Sequence, residues 1–134
     1  METVRLLLCE DDDAVRENLS ELLTLRGFTV NAVSTVAAAT EAVRTWPFDV
    51  ALLDIALPDG SGLSIARAIR AAKSEVRPRL IAVSGHSSTA DQVVARDAGF
   101  DMFLVKPVNE KQLLAALSTV TTSRRPSDPA IDRA

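Results

Sequence analysis

The chain has 134 residues, 47% apolar and 25% charged, a composition typical of one soluble globular domain. Its net charge of −3 excludes a broad basic surface for nucleic acid or anionic lipid, and its single cysteine, Cys9, excludes an internal disulfide. No apolar run approaches the ~20 residues that span a bilayer, and no segment has the form of a signal peptide, so we expect a cytoplasmic protein.

Short apolar runs alternate with amphipathic segments along the first half of the chain. Strands are predicted over residues 4–9, 28–33 and 50–54, and helices over residues 14–26 and 35–46. Gly27 marks the end of the first helix, because glycine readily adopts the left-handed conformation that follows a helix. Ser34 is a candidate N-cap of the second helix, and Pro47 lies where that helix should have stopped.

The second half begins with LPDGSG, residues 57–62, a run of turn-forming residues, and then repeats the alternation. Helices are predicted over residues 63–72, 88–98 and 109–120, and strands over residues 80–84 and 102–105. Ser88 with Asp91, and Asn109 with Gln112, have the spacing of capping boxes.

Five strands therefore alternate with five helices, an order typical of one α/β domain. The strands are continuous apolar runs, which indicates a parallel sheet covered on both faces. Right-handed crossovers then place helices on both faces and give a doubly wound five-stranded parallel sheet. Periodicity stops at Thr121, so we predict a domain over residues 1–120 and a flexible tail or linker over residues 121–134.

Polar residues follow four of the five predicted strands. Glu10 and Asp11 follow the first strand, Asp54 ends the third, Ser84 ends the fourth and Lys106 follows the fifth. In such a sheet, ligands bind outside the carboxyl ends of the strands. The sequence therefore predicts that three carboxylates, a hydroxyl and an ammonium group meet at one edge.

This set of side chains suits a metal ion and a phosphoryl group. Two carboxylates ~4 Å apart repel by about 4 kcal/mol at an effective dielectric of 20, so the predicted site needs a cation. Oxygen ligands favour Mg²⁺ or Mn²⁺, and the lack of a His or Cys cluster disfavours zinc. A hard cation, an ammonium and a hydroxyl together neutralise phosphoryl oxygens, which makes Asp54 a candidate nucleophile.

These motifs resemble those of the response-regulator receiver domains of two-component signalling, such as the chemotaxis regulators. The acid pair after the first strand, LLD before LPDGSG, Ser84 after the fourth strand and Lys106–Pro107 after the fifth occur in that order, over residues 4–120. The resemblance implies a flavodoxin-like fold with strand order 2-1-3-4-5.

The resemblance also implies a role for each matching residue. Asp54 is the phosphoacceptor. Asp11 and Asp54 bind the metal directly, Glu10 binds it through water, and the backbone carbonyl of Ala56 completes the protein's ligands. Lys106 pairs with the phosphoryl group.

Two further residues match the switch of this family. Ser84 is the hydroxyl that turns toward a phosphoryl oxygen, and Phe103 has the position of the switch aromatic. A change at these residues alters the surface of the fourth helix, fifth strand and fifth helix.

The run of four acids from Glu10 to Asp13 leaves a choice of register. Aligning Val15 and Arg16 with the family's apolar–arginine pair makes Glu10 and Asp11 the functional acids. Asp12 and Asp13 are then expected to cap the first helix and interact with its dipole.

The implied function is a signalling switch rather than an enzyme, although the domain assists its own phosphorylation and dephosphorylation. The implied phosphodonor is a sensor histidine kinase or a histidine phosphotransfer protein, and the downstream protein target is unknown. We expect no direct binding of nucleic acid or membrane by this chain, and the resemblance allows a homodimer through the fourth-helix, fifth-strand and fifth-helix surface. We expect either a stand-alone regulator or a receiver cut from a hybrid kinase or a longer regulator, and the Met1 start favours a stand-alone protein or an N-terminal receiver.

Two other functions are compatible with part of the pattern. An Asp-nucleophile phosphohydrolase of the haloacid-dehalogenase kind needs an acid two residues after the nucleophile, where this chain has Ala56. A pseudo-receiver that acts only as an interaction module would not need the intact set of acids, Ser84 and Lys106. Ala56 also lacks a polar group to position water, so we expect slow loss of a phosphoryl group from Asp54. His86, two residues after Ser84, is expected in an exposed loop.

Overall fold

The computed structural model describes residues 3–72 and 77–124, with side chains described as far as residue 120. The strands are β1 Arg5–Cys9, β2 Thr29–Val33, β3 Val50–Asp54, β4 Ala56–Leu57, β5 Gly60–Ser61, β6 Arg79–Ser84 and β7 Met102–Val105. The helices are α1 Asp13–Leu25, α2 Val36–Thr45, α3 Gly62–Ala71, α4 Thr89–Ala98 and α5 Glu110–Arg124.

The main sheet has five parallel strands in the order β2-β1-β3-β6-β7. This is the predicted order, with β6 and β7 as the fourth and fifth predicted strands, and the doubly wound, flavodoxin-like fold is confirmed. The LPDGSG segment was predicted only as a turn, and it also forms the antiparallel hairpin of β4 and β5. That hairpin directly follows the end of β3.

Alternate residues of the central strands pack into two separate cores. On one face, Leu7 of β1 and Leu53 of β3 lie with residues of α2, α3 and α4, including Ala39, Ile65 and Ala95. On the other face, the alternate strand residues pack against α1 and α5. These are Leu6, Leu8, Leu52, Ile81 and Val83, with Leu23, Leu113 and Leu117 from the helices. Helices therefore cover both faces, and the strand ends remain available for a site.

The first helix begins as the acid run predicts. Asp12 is the N-cap of α1 and accepts a hydrogen bond from the Val15 N–H at 3.0 Å, and Asp13 lies in the first turn. Gly27 follows the C-cap with a φ of 95°, a left-handed conformation that glycine adopts without strain. The cap assignments for Asp12 and Gly27 are thus confirmed.

The start of α2 differs from the prediction. Its N-cap is Thr35 and not Ser34, since the Thr35 hydroxyl accepts from the Ala38 N–H at 3.0 Å. Asp59, from the β4–β5 turn, accepts from the Val36 and Ala37 N–H groups at 2.7 and 3.0 Å. A neighbouring loop therefore provides half of this cap, which helix periodicity could not indicate.

The later helices also test the predicted boundaries. Ser88 and Asp91 form the predicted capping box of α4, and that helix ends at Gly99 with a φ of 117°. Asn109 accepts from the Gln112 N–H at 3.1 Å at the start of α5. The prediction ended this helix at Val120, but it continues to Arg124, so the predicted domain boundary falls inside the helix. Residues 125–134 of the predicted tail lie outside the described residues.

A second polar cluster lies at the opposite, amino-terminal edge of the sheet. The Asp101 carboxylate accepts from the Leu80 N–H at 2.9 Å, from Arg70 at 2.8 Å and from Arg77 at 2.9 Å. Arg70 also donates to the carbonyl oxygens of Gly99 and Pro78 at 3.0 and 2.8 Å. This cluster, which we call the basal cluster, joins the end of α3 to the starts of β6 and β7. Across the described residues, no helix has the length and hydropathy needed to cross a bilayer.

Gly62 provides a test of how closely α3 approaches the end of β3. A Cβ atom at Gly62 would clash with the carbonyl oxygen of Asp54, whereas a Cβ at Gly85 would meet nothing within 4 Å. We expect Gly62→Ala to lower the free energy of unfolding by about 2 kcal/mol, because the backbone must shift. The matched variant Gly85→Ala should change it by less than about 1 kcal/mol. Urea denaturation measures both, and equal values would contradict the close packing.

Candidate functional site

The predicted site residues converge at the carboxyl edge of the main sheet. Asp54 is the last residue of β3 and Ser84 the last of β6, while Glu10 and Lys106 follow β1 and β7 directly. Each of these strands is parallel to its neighbours, so their ends point to one edge. The structure therefore brings together side chains that are up to 96 positions apart in sequence.

Lys106 contacts both buried carboxylates. Its Nζ lies 2.7 Å from Asp54 Oδ2 and 3.2 Å from Glu10 Oε1. The Asp54 and Glu10 side chains are only 3% and 4% exposed, while that of Lys106 is 33% exposed. One partly exposed ammonium therefore contacts two carboxylates that are almost entirely removed from solvent, and it balances at most one of their two negative charges.

Backbone N–H groups orient the same two carboxylates. The Ala56 N–H donates to Asp54 Oδ1 at 3.1 Å, and the Asp12 N–H donates to Glu10 Oε2 at 3.0 Å. Each carboxylate thus has one oxygen bonded to a backbone N–H, while Lys106 contacts the other oxygen of Asp54 and both oxygens of Glu10. This arrangement fixes the direction of both side chains.

The pKa values of Glu10 and Lys106 are both raised, but for different reasons. Burial raises the pKa of Glu10 and nearby Asp54 adds to this, although hydrogen bonds from Asp12 and Lys106 oppose it. Burial alone would lower the pKa of Lys106, but its hydrogen bonds to Asp54 and Glu10 raise the pKa above the ordinary lysine value. Lys106 is therefore positively charged at neutral pH.

The carboxylates have the geometry of a site for a hard cation. One oxygen from each of Glu10, Asp11 and Asp54 lies within 4.8 Å of the others. Asp11 is exposed while the other two are buried, so the cluster is open to water on one side. An all-oxygen donor set with room for water fits Mg²⁺ or Mn²⁺. Ala56 lies next to this cluster in β4, and the role of its carbonyl oxygen stays a prediction.

Ser84 has a buried hydroxyl with a free proton. Its side chain oxygen accepts from the His86 N–H at 3.0 Å, and its backbone carbonyl accepts from the Lys106 N–H at 2.8 Å. Ser84 is 7% exposed, and among the described residues no acceptor contacts its hydroxyl proton. The hydroxyl can therefore donate one hydrogen bond to a ligand at this edge. His86 is exposed in the β6–α4 loop, as predicted.

Phe103 lies within β7 rather than at the strand end. Its ring is half-buried and packs against the core formed with α2, α3 and α4. The ring is therefore part of the packing of that core, and its role as a switch stays a prediction. The Lys106–Pro107 peptide bond that follows β7 is cis.

Cys9 is adjacent to the site but takes no part in it. Its thiol is buried and lies 3.6 Å from the Thr35 carbonyl oxygen, to which it donates. Burial, with a smaller contribution from Asp54, raises the pKa of this thiol to about 12. The thiol is therefore protonated and unreactive at neutral pH.

An open groove of about 510 Å³ borders the site between α1 and the chain that follows β7. Glu10 and Lys106 form one end of it, and its walls are largely apolar. Those wall residues are Val15, Leu19, Pro107 and Val108. The groove therefore opens Glu10 and Lys106 to the solvent on the side of α1.

The sequence alone does not indicate the contacts of Arg16, although Arg16 helps to fix the register of the acid run. Its guanidinium donates to the Glu10 carbonyl oxygen at 3.0 Å and pairs with Asp13 at 2.7 Å. The three-residue spacing of Asp13 and Arg16 was the one available signal, since such pairs meet on a helix.

Comparison with known proteins agrees with this geometry. A family model described as the response regulator receiver domain matches residues 6–118. The chain is 34% identical over 115 residues to the transcriptional regulatory protein GltR of Pseudomonas aeruginosa, covering 86% of this chain and 48% of that protein. It is 29% identical over 128 residues to the response regulator MprA of Mycobacterium bovis, covering 96% of this chain and 55% of that protein.

Solved structures agree as well. A CheY-like response regulator receiver domain from Methylobacillus flagellatus is 30% identical and superposes with a TM-score of 0.78, covering 89% of this chain and 99% of that one. The chain spans about half the length of the curated relatives it matches. The likeness therefore concerns a single domain of those proteins.

Proposed function

Because this chain belongs to the response regulator receiver domain family, we propose that it is a switch that a phosphohistidine operates by transferring its phosphoryl group to Asp54. The observation that carries the proposal is the buried Asp54 carboxylate, 2.7 Å from the Lys106 ammonium at the end of β3. The donor is a sensor histidine kinase or a histidine phosphotransfer protein. The protein assists this reaction on itself and is not an enzyme for other substrates.

The transfer needs an oxygen of Asp54 to attack phosphorus. A bond forms between that oxygen and phosphorus, the phosphorus–nitrogen bond of the phosphohistidine breaks, and the imidazole leaves. Lys106 then balances the charge of the transferred group, and the Ser84 hydroxyl donates to one of its oxygens. Asp54 is already oriented by the Ala56 N–H, so the attack requires little rearrangement.

The acid cluster supports magnesium as the cofactor. Asp11 and Asp54 would hold the ion directly, Glu10 through water, with the Ala56 carbonyl as a further ligand, and manganese would substitute. The bound ion supplies neutralisation of the phosphoryl oxygens during transfer. The residues of the chain orient the acids around it and keep Glu10 and Asp54 away from bulk water.

Phosphorylation would then change the surface of α4, β7 and α5. When the Ser84 hydroxyl turns toward the phosphoryl group, it would lose the hydrogen bond that it accepts from the His86 N–H. Its movement would also leave space that the Phe103 ring can occupy. Val94 and Val105 on this surface are already 46% and 40% exposed, which supports a protein target or a second copy there. Moving the equilibrium from 1:99 to 99:1 needs about 5.5 kcal/mol, a value that a few charge-assisted bonds can supply.

The proposed location and partners of the protein follow from its proposed role as a phosphorylation-dependent switch. We place the protein in the cytoplasm, where two-component phosphodonors act. The net charge of −3 favours no direct contact with nucleic acid or membrane, so the partners are proteins. The largely apolar groove between α1 and the chain after β7 ends at Glu10 and Lys106, which supports an approach of the phosphodonor from that side.

Acetyl phosphate with Mg²⁺ tests the phosphorylation directly. We expect the protein to gain the mass of one phosphoryl group, and EDTA or Asp54→Asn to abolish the gain, because each removes a required group. The exposed acid Asp97 on α4 gives a matched control, and Asp97→Asn should be labelled like the parent. Equal labelling of Asp54→Asn and the parent would refute the assignment.

We also expect the phosphoryl group to be lost slowly. Ala56 is exposed beside Asp54 and has no polar group to orient an attacking water. Ala56→Asn should accelerate the loss by about tenfold, because its amide can position that water. The decay of the labelled protein in Mg²⁺, followed by mass spectrometry, measures this. A half-life of seconds for the parent would refute the role given to Ala56.

The two other functions have less support. An Asp-nucleophile phosphohydrolase needs a second acid at position 56, and the methyl of Ala56 cannot replace it. A pseudo-receiver would not require a lysine such as Lys106 paired with two buried carboxylates. The labelling experiment distinguishes it, since a pseudo-receiver would gain no mass.

A further inference from the structure

We infer that Arg16 is a positioning residue that fixes the β1–α1 loop and thereby sets the affinity of the acid cluster for Mg²⁺. The inference rests on the proposed magnesium site and adds a residue to it. Arg16 lies in α1 and its side chain is only 20% exposed. From there it reaches back to the carbonyl oxygen of Glu10, at 3.0 Å.

The loop that carries the acids has few other restraints. The Glu10 N–H donates to the Val33 carbonyl at 3.0 Å, and the Asp12 N–H donates to the Glu10 side chain at 3.0 Å. Asp11 lies between these two points. Its exposed side chain makes no hydrogen bond within the described residues, so only the backbone on either side determines where its carboxylate lies. Arg16 holds that backbone in place through its hydrogen bond to the Glu10 carbonyl oxygen.

The second contact of Arg16 strengthens the first. Its Nη2 pairs with Asp13 at 2.7 Å while its Nη1 contacts the Glu10 carbonyl. The planar guanidinium thus spans the loop from its first residue to the start of α1 in one rigid group. A lysine has a single nitrogen and cannot make both contacts with the same geometry.

The charge and the positioning of Arg16 predict opposite effects on the metal. A positive charge near the cluster opposes the binding of a cation, so removing the charge alone would tighten Mg²⁺ binding. Loss of the loop contact would weaken it, as groups that orient metal ligands typically account for at least tenfold in affinity. The direction of the change therefore identifies which property of Arg16 acts.

The test is a titration of Mg²⁺ alone against the purified chain, followed by NMR of the backbone amides of the β1–α1 loop. We expect Arg16→Gln to weaken binding by about tenfold and Arg16→Lys to weaken it by a smaller factor. Arg44→Gln is the matched control. Arg44 pairs with Glu41 three residues before it, at 3.2 Å on the exposed surface of α2, and should leave the affinity unchanged.

Unchanged or tighter Mg²⁺ binding by Arg16→Gln would overturn the inference. Thermal unfolding shows whether each variant is folded, and if Arg16→Gln is not, Arg16→Lys decides by the same criterion. Should the parent fail to bind Mg²⁺, the proposed metal site and the inference both fall. Should the parent bind and Asp11→Asn abolish binding, while both Arg16 variants bind like the parent, only the inference falls.

Discussion

Replacing Lys106 by methionine is expected to lower the free energy of unfolding by about 3 kcal/mol in metal-free buffer. The substitution removes the ammonium that lies 2.7 Å from Asp54 and 3.2 Å from Glu10, and both carboxylates remain buried. Two unneutralised carboxylates whose oxygens lie within 4.8 Å then repel each other. Because Lys106 is itself a third exposed, the expected loss lies at the lower end of the range for buried pairs.

The pH dependence of this variant has a definite sign. Burial and Asp54 already raise the pKa of Glu10, and loss of Lys106 raises it further. A group whose folded pKa is raised stabilises the fold below its unfolded pKa, and that contribution is lost as pH rises through the folded value. The Lys106→Met deficit should therefore be smallest at acidic pH, and added Mg²⁺ should recover part of it at neutral pH.

Lys111→Met is the matched control, because Lys111 is an exposed lysine of α5. We expect it to change the free energy of unfolding by less than about 0.5 kcal/mol at every pH. Urea denaturation with and without Mg²⁺ measures both variants. If Lys106→Met were as stable as Lys111→Met at neutral pH, Lys106 would not be the charge partner that stabilises Asp54 and Glu10 in the fold.

Asp101→Asn is expected to lower the free energy of unfolding by about 3 kcal/mol without affecting labelling of Asp54. The Asp101 side chain is 15% exposed and accepts hydrogen bonds from Arg70, Arg77 and the Leu80 N–H. An amide has one acceptor oxygen and no charge, so Arg70 would be left partly buried without its counter-ion. This cluster lies at the opposite edge of the sheet from Asp54. Its loss should therefore lower the stability of the fold without changing the reaction at Asp54.

The same cluster makes the free energy of unfolding of the parent protein depend on pH in the acidic range. Burial would raise the pKa of Asp101, but the Leu80 N–H and the two arginines lower it below the ordinary aspartate value. A lowered pKa gives stability that is present above the unfolded value and lost as pH falls through the folded one. Asp101→Asn should reduce this acid-dependent loss, whereas Asp97→Asn, an exposed acid of α4, should not. Identical acid profiles for the two variants would contradict the cluster's role.

Much of the site was predictable because strand ends converge in a parallel sheet. Periodicity and length located the five strands of the main sheet, and their parallel arrangement determined which residues meet. Glu10, Asp54 and Lys106 were therefore identified together although they are far apart in sequence. Within the acid run, the N-cap at Asp12 was also predicted correctly, because N-cap preference is local and strong.

Features that depend on contacts between distant loops were not predictable. Asp59 completes the cap of α2 from 23 positions away in the sequence, whereas N-cap preference points only to residues next to the helix, such as Ser34. Asp101 and Arg70 are 31 positions apart, and nothing in either segment indicates the other. The end of α5 was predicted too early, since Thr121 and Thr122 are weak helix formers that the structure nevertheless places in the helix.

We propose that Asp54, rather than one of the exposed acids of the run from Glu10 to Asp13, receives the phosphoryl group. Borohydride reduction of the labelled protein converts an acyl phosphate to an alcohol, so the modified aspartate becomes homoserine and can be located by peptide mapping. We expect homoserine at position 54 and none at Asp11, Asp12 or Asp13. Homoserine at any of those three positions, with position 54 unmodified, would contradict it.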